Sequence, residues 1–390
     1  MGRKDVFSKI ASATSEPNSS YIWMHCASLG EFEQGRPVLE RVRNEFPSYK
    51  IVLTFFSPSG YEVRKNYAEA DLVIYLPMDS RTNAQNLISA INPSLVLWVK
   101  YEYWYYYLAE LKKRNIPVLL VSGIFRSSQP FFKWYGSLWK IMLQSFKHLF
   151  VQTHNSATLL KQAGISENVT VSGDTRFDRV IDIAEKFVPL DEGFSNFCQD
   201  TRVIVAGSTW EEDEAEWTHY IKAHPQTKFI IAPHEVDVEN IKDVRAEFAG
   251  SVLYSECIKR QWQLPPDSHV IIIDNIGMLS KLYKYATITY VGGGFGNSGI
   301  HNVLEAAVFG KPVIFGPVYE KFEEAKGLLT CGAAFSIGSA IELESLLQVL
   351  ESDNQKLESS GAAAKNYVYE HRGATESIMN YIHANRLLTN

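Results

Sequence analysis

Short, mostly apolar runs separated by amphipathic stretches set the pattern of this chain. In the first half the runs are Tyr21–Cys26, Ile51–Phe56, Leu72–Leu76, Leu95–Val99, Val118–Val121, Leu149–Val151 and Val169–Val171. Stretches such as Phe32–Phe46 and Trp104–Arg114, with apolar positions at helical spacing, lie between most of them. Strands that are apolar on both faces must be covered on both faces, so the alternation predicts a parallel sheet between helices in an α/β fold. The second half repeats the scheme at Val203–Ala206, Phe229–Ala232, Val270–Ile273, Ile288–Val291 and Val313–Phe315. Ile181–Asp200 has no strand pattern and contains Pro189 and Gly193. The expected organisation is therefore a doubly wound, Rossmann-like domain over 1–185, a linker over 186–200, and a second such domain over 201–390. An amphipathic stretch at about 375–388 (Thr375–Leu388) is expected to form a last helix that crosses back onto the first domain. Two doubly wound domains are expected to turn the carboxyl ends of their strands to a shared cleft, where ligands bind.

The densest local pattern is Val291-Gly-Gly-Gly-Phe-Gly-Asn-Ser-Gly-Ile-His-Asn-Val-Leu-Glu305, followed by Gly310-Lys-Pro-Val-Ile-Phe-Gly-Pro317. It reads as a strand, a glycine turn, a helix opening near Gly299 and ending at Gly310, and a second strand. Glycine lets a ligand approach the backbone, and a helix N-terminus offers N–H groups to a phosphate. Glu305, one turn into that helix, suits the hydroxyls of a ribose. The plainer account is a tight connection that needs glycine only for its dihedrals. The whole pattern favours a nucleotide site.

Composition narrows the class. With 390 residues the chain exceeds one ordinary core, and 46% hydrophobic against 21% charged residues describes a well-packed globular protein. A net charge of −6 argues against broad nucleic-acid binding, and none is expected as a partner. Cys26, Cys198, Cys257 and Cys331 have no metal-binding spacing and read as free thiols of a reducing cytoplasm. No apolar run reaches the length of a membrane span.

Three further strand ends carry candidate chemistry. In His25-Cys-Ala-Ser-Leu-Gly-Glu31, Glu31 falls at a helix start, where it either deprotonates a hydroxyl or simply complements the helix dipole. Ser208 and Thr209 are expected to cap the helix that follows, alone or together with a phosphate contact. The acidic run Glu211–Glu214 then complements that helix's dipole rather than a metal. Ala232-Pro-His-Glu235 places His234 at a strand end beside Glu235, a fair ligand contact.

The two-domain arrangement matches the GT-B glycosyltransferase fold. Trp23-Met-His-Cys-Ala-Ser-Leu-Gly-Glu31 resembles the start of the 3-deoxy-D-manno-octulosonic acid (Kdo) transferases of bacterial lipopolysaccharide synthesis. Gly173-Asp-Thr-Arg-Phe-Asp178, Ala206-Gly-Ser-Thr209, Gly277-Met278, Gly299-Ile-His-Asn-Val-Leu-Glu305 and Gly316-Pro317 agree in order, so the resemblance spans nearly the whole chain. It implies an inverting transfer of Kdo from CMP-Kdo to a lipid A precursor, with no cofactor or metal, at the cytoplasmic face of the bacterial inner membrane. It makes Glu31 the general base. Glu102, in Lys100-Tyr-Glu-Tyr-Trp104, matches the second glutamate of the family's Glu-x-Glu-Leu-Trp and is implied to assist the transition state, while Lys100 replaces the first. The alternative for Glu102 is a surface carboxylate paired with Lys100. Arg176 stands where the family has a transition-state lysine. Pro233 matches the family's Pro-Arg-His, but an arginine is missing there: either His234 takes its place or a one-residue shift aligns the histidines instead. The backbone of Ile276-Gly277-Met278 is implied to contact cytosine, and Gly299, His301, Asn302 and Glu305 to hold CMP. Rival readings are a UDP-sugar epimerase of the same fold and a non-catalytic sugar-nucleotide binder.

Phe131–His148 mixes aromatic and basic residues, with Lys133, Lys140 and Lys147 seven apart and so on one stripe of a helix. Such a helix suits an anionic membrane surface, although core packing accounts for most of the aromatics. The family begins with an apolar anchor that Gly2–Asn18 does not supply. The abrupt start, Met1-Gly-Arg-Lys-Asp-Val6, leads to the expectation that an anchor is absent or was removed.

Overall fold

A computed structural model describes residues 5–13 and 19–389, so the ends of Gly2–Asn18 lie outside the described residues. The chain forms two compact units. One runs to Arg179 and is completed by the segment from His371; the other is Val180–Glu370. The division falls inside the helix Thr175–Glu185, not at residue 185. The stretch expected to be a linker carries the helix Glu192–Cys198 and belongs to the second unit. The reason is Phe194, which is fully buried with its ring 5.0 Å from Tyr285 and 5.8 Å from Trp262.

The first unit is built on seven parallel strands: β1 (Tyr21–Cys26), β2 (Lys50–Phe55), β3 (Leu72–Tyr75), β4 (Pro93–Val99), β5 (Val118–Gly123), β6 (His148–Val151) and β7 (Val169–Val171). Their order is β3-β2-β1-β4-β5-β6-β7. Strand order reverses direction between β1 and β4, so the loops leaving these two strands part to opposite faces and open a crevice at their carboxyl ends. One face packs Trp23, Trp98 and Tyr107, with Trp23 meeting the other two edge-on at 5.5 and 5.9 Å. Each such contact adds about 1 kcal/mol to the area buried.

The opposite face buries Phe32, Val38 and Val42 of the helix Leu29–Glu45 together with Ile378, Met379 and Ile382 of the last helix, Ala374–Ala384. The chain's end therefore completes the first unit's core. Asp178 fastens it, its two oxygens accepting the backbone N–H groups of Gly373 and Thr375, both at 2.6 Å. Gly373 sits at φ +106, a conformation costly for any residue with a Cβ.

The second unit repeats the design with β8 (Val203–Thr209), β9 (Lys228–Pro233), β10 (Val252–Leu253), β11 (Val270–Ile272), β12 (Ile288–Val291), β13 (Val313–Phe315) and β14 (Ala334–Ser336). The order β10-β11-β9-β8-β12-β13-β14 puts its reversal between β8 and β12. Strands β10 and β14 were not expected from the sequence.

Two local expectations fail. The 131–148 stretch is not one helix: a short turn at Pro130–Phe132 precedes Lys133, Lys140 lies in the helix Ser137–Leu143, and Lys147 leads directly into β6. The break comes at Gly136, where a Cβ would stand 2.2 Å from the Pro130 carbonyl oxygen. In the glycine motif the helix spans only Leu304–Ala307 and does not open at Gly299, which sits at φ +84. The Asn302 side chain accepts the N–H of Leu304 at 3.3 Å and holds residues 299–302 out of the helix.

Candidate functional site

Each unit gathers its sequence-predicted residues at its own reversal point. In the first unit, Ser28 follows β1 as the N-cap of the helix Leu29–Glu45. The Ser28 N–H donates to Glu31 Oε2 at 3.1 Å, and the Ser28 hydroxyl donates to the same oxygen. This is the reach-back arm of a capping box, and it fixes the carboxylate's position. Glu31 Oε1 has no hydrogen-bond partner among the described residues and is left to a ligand.

Glu102 follows β4 and is not paired with Lys100. Its Oε2 lies 3.3 Å from His25 Nε2 and accepts the Trp104 indole N–H at 2.9 Å. His25 is fully buried on β1, with Nδ1 2.9 Å from the Thr54 hydroxyl and its ring 4.7 Å from Trp98. Burying an imidazole is costly unless both nitrogens are satisfied, and here both are. Lys100, at φ +64, turns its ammonium over the Tyr101 ring at 4.7 Å, and Arg126 approaches the same ring at 5.7 Å. Burial raises the Tyr101 phenol despite the nearby Arg126.

Arg176 is held by Asp174, whose Oδ2 accepts from Nε at 2.9 Å and Nη2 at 2.7 Å, while Oδ1 accepts the Arg176 backbone N–H at 2.9 Å. Burial alone would raise the Asp174 carboxyl. The guanidinium charge, its hydrogen bonds and Lys100 outweigh burial and hold it below the ordinary carboxylate range. Arg176 is thus a positioned cation rather than a loose surface arginine.

In the second unit, β8 runs through Thr209, so neither Ser208 nor Thr209 caps the next helix. Trp210 takes the cap position before Glu211–Ala223. Ser208 is a bulge residue at φ +53, and the buried Thr209 hydroxyl donates to Glu214 Oε1 at 2.7 Å. Asp213 and Glu214 do more than face the helix dipole. Asp213, fully buried, accepts from the Tyr290 hydroxyl at 2.6 Å, the Gly293 N–H at 2.8 Å and the Trp210 N–H at 3.0 Å. It ties the end of β8 to the glycine turn after β12. Burial raises its carboxyl, and these three bonds pull it back.

Pro233 is buried at the end of β9, and the His234 N–H donates to Thr209 O at 2.9 Å. The His234 ring stacks on Trp210 at 4.6 Å and on His301 at 4.3 Å. Gly294 packs against Gly316 so closely that a Cβ would sit 2.6 Å from its backbone. Asn302 Nδ2 donates to Glu305 Oε1 at 3.1 Å. Ile276 is 85% exposed and Gly277 adopts φ +94, while Leu279 and Tyr283 fill the space against Gly207 at the end of β8. Met278 caps the short helix Leu279–Leu282.

Residues 4–179 match the family model described as 3-Deoxy-D-manno-octulosonic-acid transferase (kdotransferase). That match covers the first unit, and along most of its length the chain is similar to Kdo transferases. The 3-deoxy-D-manno-octulosonic acid transferase of Aquifex aeolicus is 27% identical over 344 residues, covering 86% of this chain and 87% of that protein. A bifunctional glycosyltransferase/methyltransferase of Fusobacterium nucleatum is 26% identical over 349 residues, or 86% of this chain, which spans about half (53%) of that relative's length. Among solved structures, UDP-GlcNAc 2-epimerase from Neisseria meningitidis aligns with a TM-score of 0.65 at 17% identity, over 93% of this chain and 100% of that one. That likeness shows the GT-B fold.

Sequence reasoning missed His25, Tyr101, Arg126, Trp210 and Asp213. A polar residue inside an apolar strand was the one available signal for His25, and an acidic residue three positions into a helix for Asp213. Nothing in the sequence pointed to the other three.

Proposed function

We propose that this chain is a Kdo transferase that moves Kdo from CMP-Kdo to a lipid A precursor with inversion at the anomeric carbon. The observation that carries the reading is Glu31, fixed at the end of β1 with one carboxylate oxygen held by Ser28 and the other open. Glu31 takes the proton of an acceptor hydroxyl as that oxygen bonds to the anomeric carbon. The bond from that carbon to the phosphate breaks, and its electron pair leaves with CMP. Arg176, locked by Asp174, supplies fixed positive charge against the charge developing on the departing group. Glu102, braced by His25 and Trp104, supports the transition state. In the second unit Ser208, His234, Gly277, Asn302 and Glu305 hold the nucleotide. No metal takes part in this scheme.

The acceptor is a lipid, so the protein works at the cytoplasmic face of the inner membrane. No helix among the described residues is long and apolar enough to cross a bilayer. Supporting a peripheral contact, Trp134 is 95% exposed, and Tyr135, Leu138 and Ile141 are about half exposed, beside a cavity of about 260 Å³ lined by Lys112, Lys113 and Tyr105. Exposed aromatics next to lysines match the boundary of an anionic bilayer.

The test is transfer from CMP-Kdo, generated in situ, to tetraacyl lipid A precursor by wild type and Glu31→Ala. Lipid product from the wild type and a loss of at least ~100-fold in the variant are expected for a general base. CMP release without lipid product rejects the acceptor, and turnover of a UDP-sugar without any acceptor rejects the transfer altogether.

A further inference from the structure

Trp210 follows β8, His234 follows β9 and His301 lies beyond the glycine turn after β12, so the reversal point of the second unit brings three rings together. Their arrangement is specific. The Trp210 and His301 rings are nearly coplanar, 13° apart with centroids at 6.4 Å, and the indole N–H donates in that plane to His301 Nε2 at 3.0 Å. His234 lies across both, 27° from one and 24° from the other. Gly293, at φ +92, makes room for the pair, since a Cβ there would stand 3.0 Å from His301 Cδ2.

An indole N–H is only a donor, so the nitrogen it meets must carry a lone pair. A neutral imidazole has one N–H, and with Nε2 accepting, that proton resides on Nδ1. The His301 Nδ1 has no hydrogen-bond partner among the described residues. Burial, with the neighbouring His234 second, lowers the His301 imidazolium to about 4, so the ring is uncharged at neutral pH.

We propose that Trp210 is a positioning residue that fixes His301 in its Nδ1–H form, making it an uncharged hydrogen-bond donor to the oxygens of the bound nucleotide. This rests on the reading of the second unit as the nucleotide site and adds to it what the ring does there. Beside His234, which stands at the end of β9 where the family resemblance implies an arginine, His301 offers the ligand an oriented neutral donor. The indole contributes through geometry and tautomer, and the glycine turn beside it leaves the ligand room.

The experiment uses the full chain, labelled with nitrogen-15 at histidine. Long-range proton–nitrogen spectra report the tautomer of His301, identified by its loss in His301→Asn, and calorimetry with CMP reports binding. The wild type is expected in the Nδ1–H form. Trp210→Phe keeps a ring for His234 to stack on but removes the donor. It should shift His301 toward the Nε2–H form and weaken CMP binding about 10-fold, or about 1.4 kcal/mol. Adding His301→Asn to Trp210→Phe places an amide nitrogen where Nδ1 stood and should restore affinity to within about 3-fold, or about 0.7 kcal/mol, of wild type. A purely structural role would allow no such rescue. An Nε2–H ring in the wild type, or unchanged CMP affinity in Trp210→Phe, overturns the proposal. A wild type with the Nδ1–H ring that binds no CMP overturns the nucleotide reading instead, while upholding the effect of Trp210 on the ring.

Discussion

Glu214 offers a test of the second unit that needs no substrate. It is 6% exposed at the start of the helix Glu211–Ala223, and burial, against one hydrogen bond from Thr209, raises its carboxyl from about 4.5 to about 7, with Asp213, Glu247 and Glu211 adding repulsion. The fold therefore holds this proton more tightly than the unfolded chain does. Stability on this account is complete below about pH 4.5, falls as pH climbs through about 7, and is flat above that. Each pH unit of displacement is worth about 1.4 kcal/mol, so the full loss is at most about 3 kcal/mol. Glu214→Gln keeps the shape and the acceptor for Thr209 but cannot ionise. It is expected to match the wild type at about pH 4 and to exceed it by about 2–3 kcal/mol at pH 8.

Thermal unfolding of both proteins across about pH 4–8 is the assay. For a unit of this size about 2–4 °C accompanies each kcal/mol, so the variant's transition should lie about 4–12 °C higher at pH 8 and coincide at about pH 4. Parallel curves at all pH values, or a wild type more stable at pH 8, would show that Glu214 ionises normally. The account of a buried carboxyl raised by desolvation would then be wrong.

Other expectations reach the rest of the molecule. Asp178→Ala deletes both acceptors that start the final helix and should cost the first unit about 2–3 kcal/mol, read as faster amide exchange across 374–384; exchange unchanged from wild type would show that the buried face of that helix alone holds it. Replacing Trp134 and Tyr135 by Ser should lower binding to vesicles of anionic lipid at least ~10-fold while leaving CMP affinity alone, and equal vesicle binding would remove this patch from the membrane contact.

The parts of this protein legible in its sequence are those whose cause is local. An interior strand of a doubly wound sheet is buried on both faces, so Ile51–Phe56 or Val118–Val121 announces itself by apolar content alone. Strands β10 and β14 escape notice because two or three residues at a sheet edge carry no period. The glycine motif signalled a turn correctly, yet its helix was drawn five residues early because Asn302 turns its side chain back on the backbone, a choice composition does not reveal. Long-range pairing was harder still. For Glu102 the one partner the sequence offered was its neighbour Lys100, as the alternative to a functional role, whereas its real brace, His25, comes from a strand 77 residues away. Asp178 stood in a recognised motif without a role until the fold brought Gly373 and Thr375 to it across nearly 200 residues. The first pair exists because a parallel sheet sets the ends of β1 and β4 side by side, the second because the last helix returns to the first unit. Topology alone makes Trp210 and His301 neighbours in the same way, 91 positions apart in the chain. Motifs thus show where a site's backbone turns, while the contacts that set the charge and tautomer of its side chains follow from strand order.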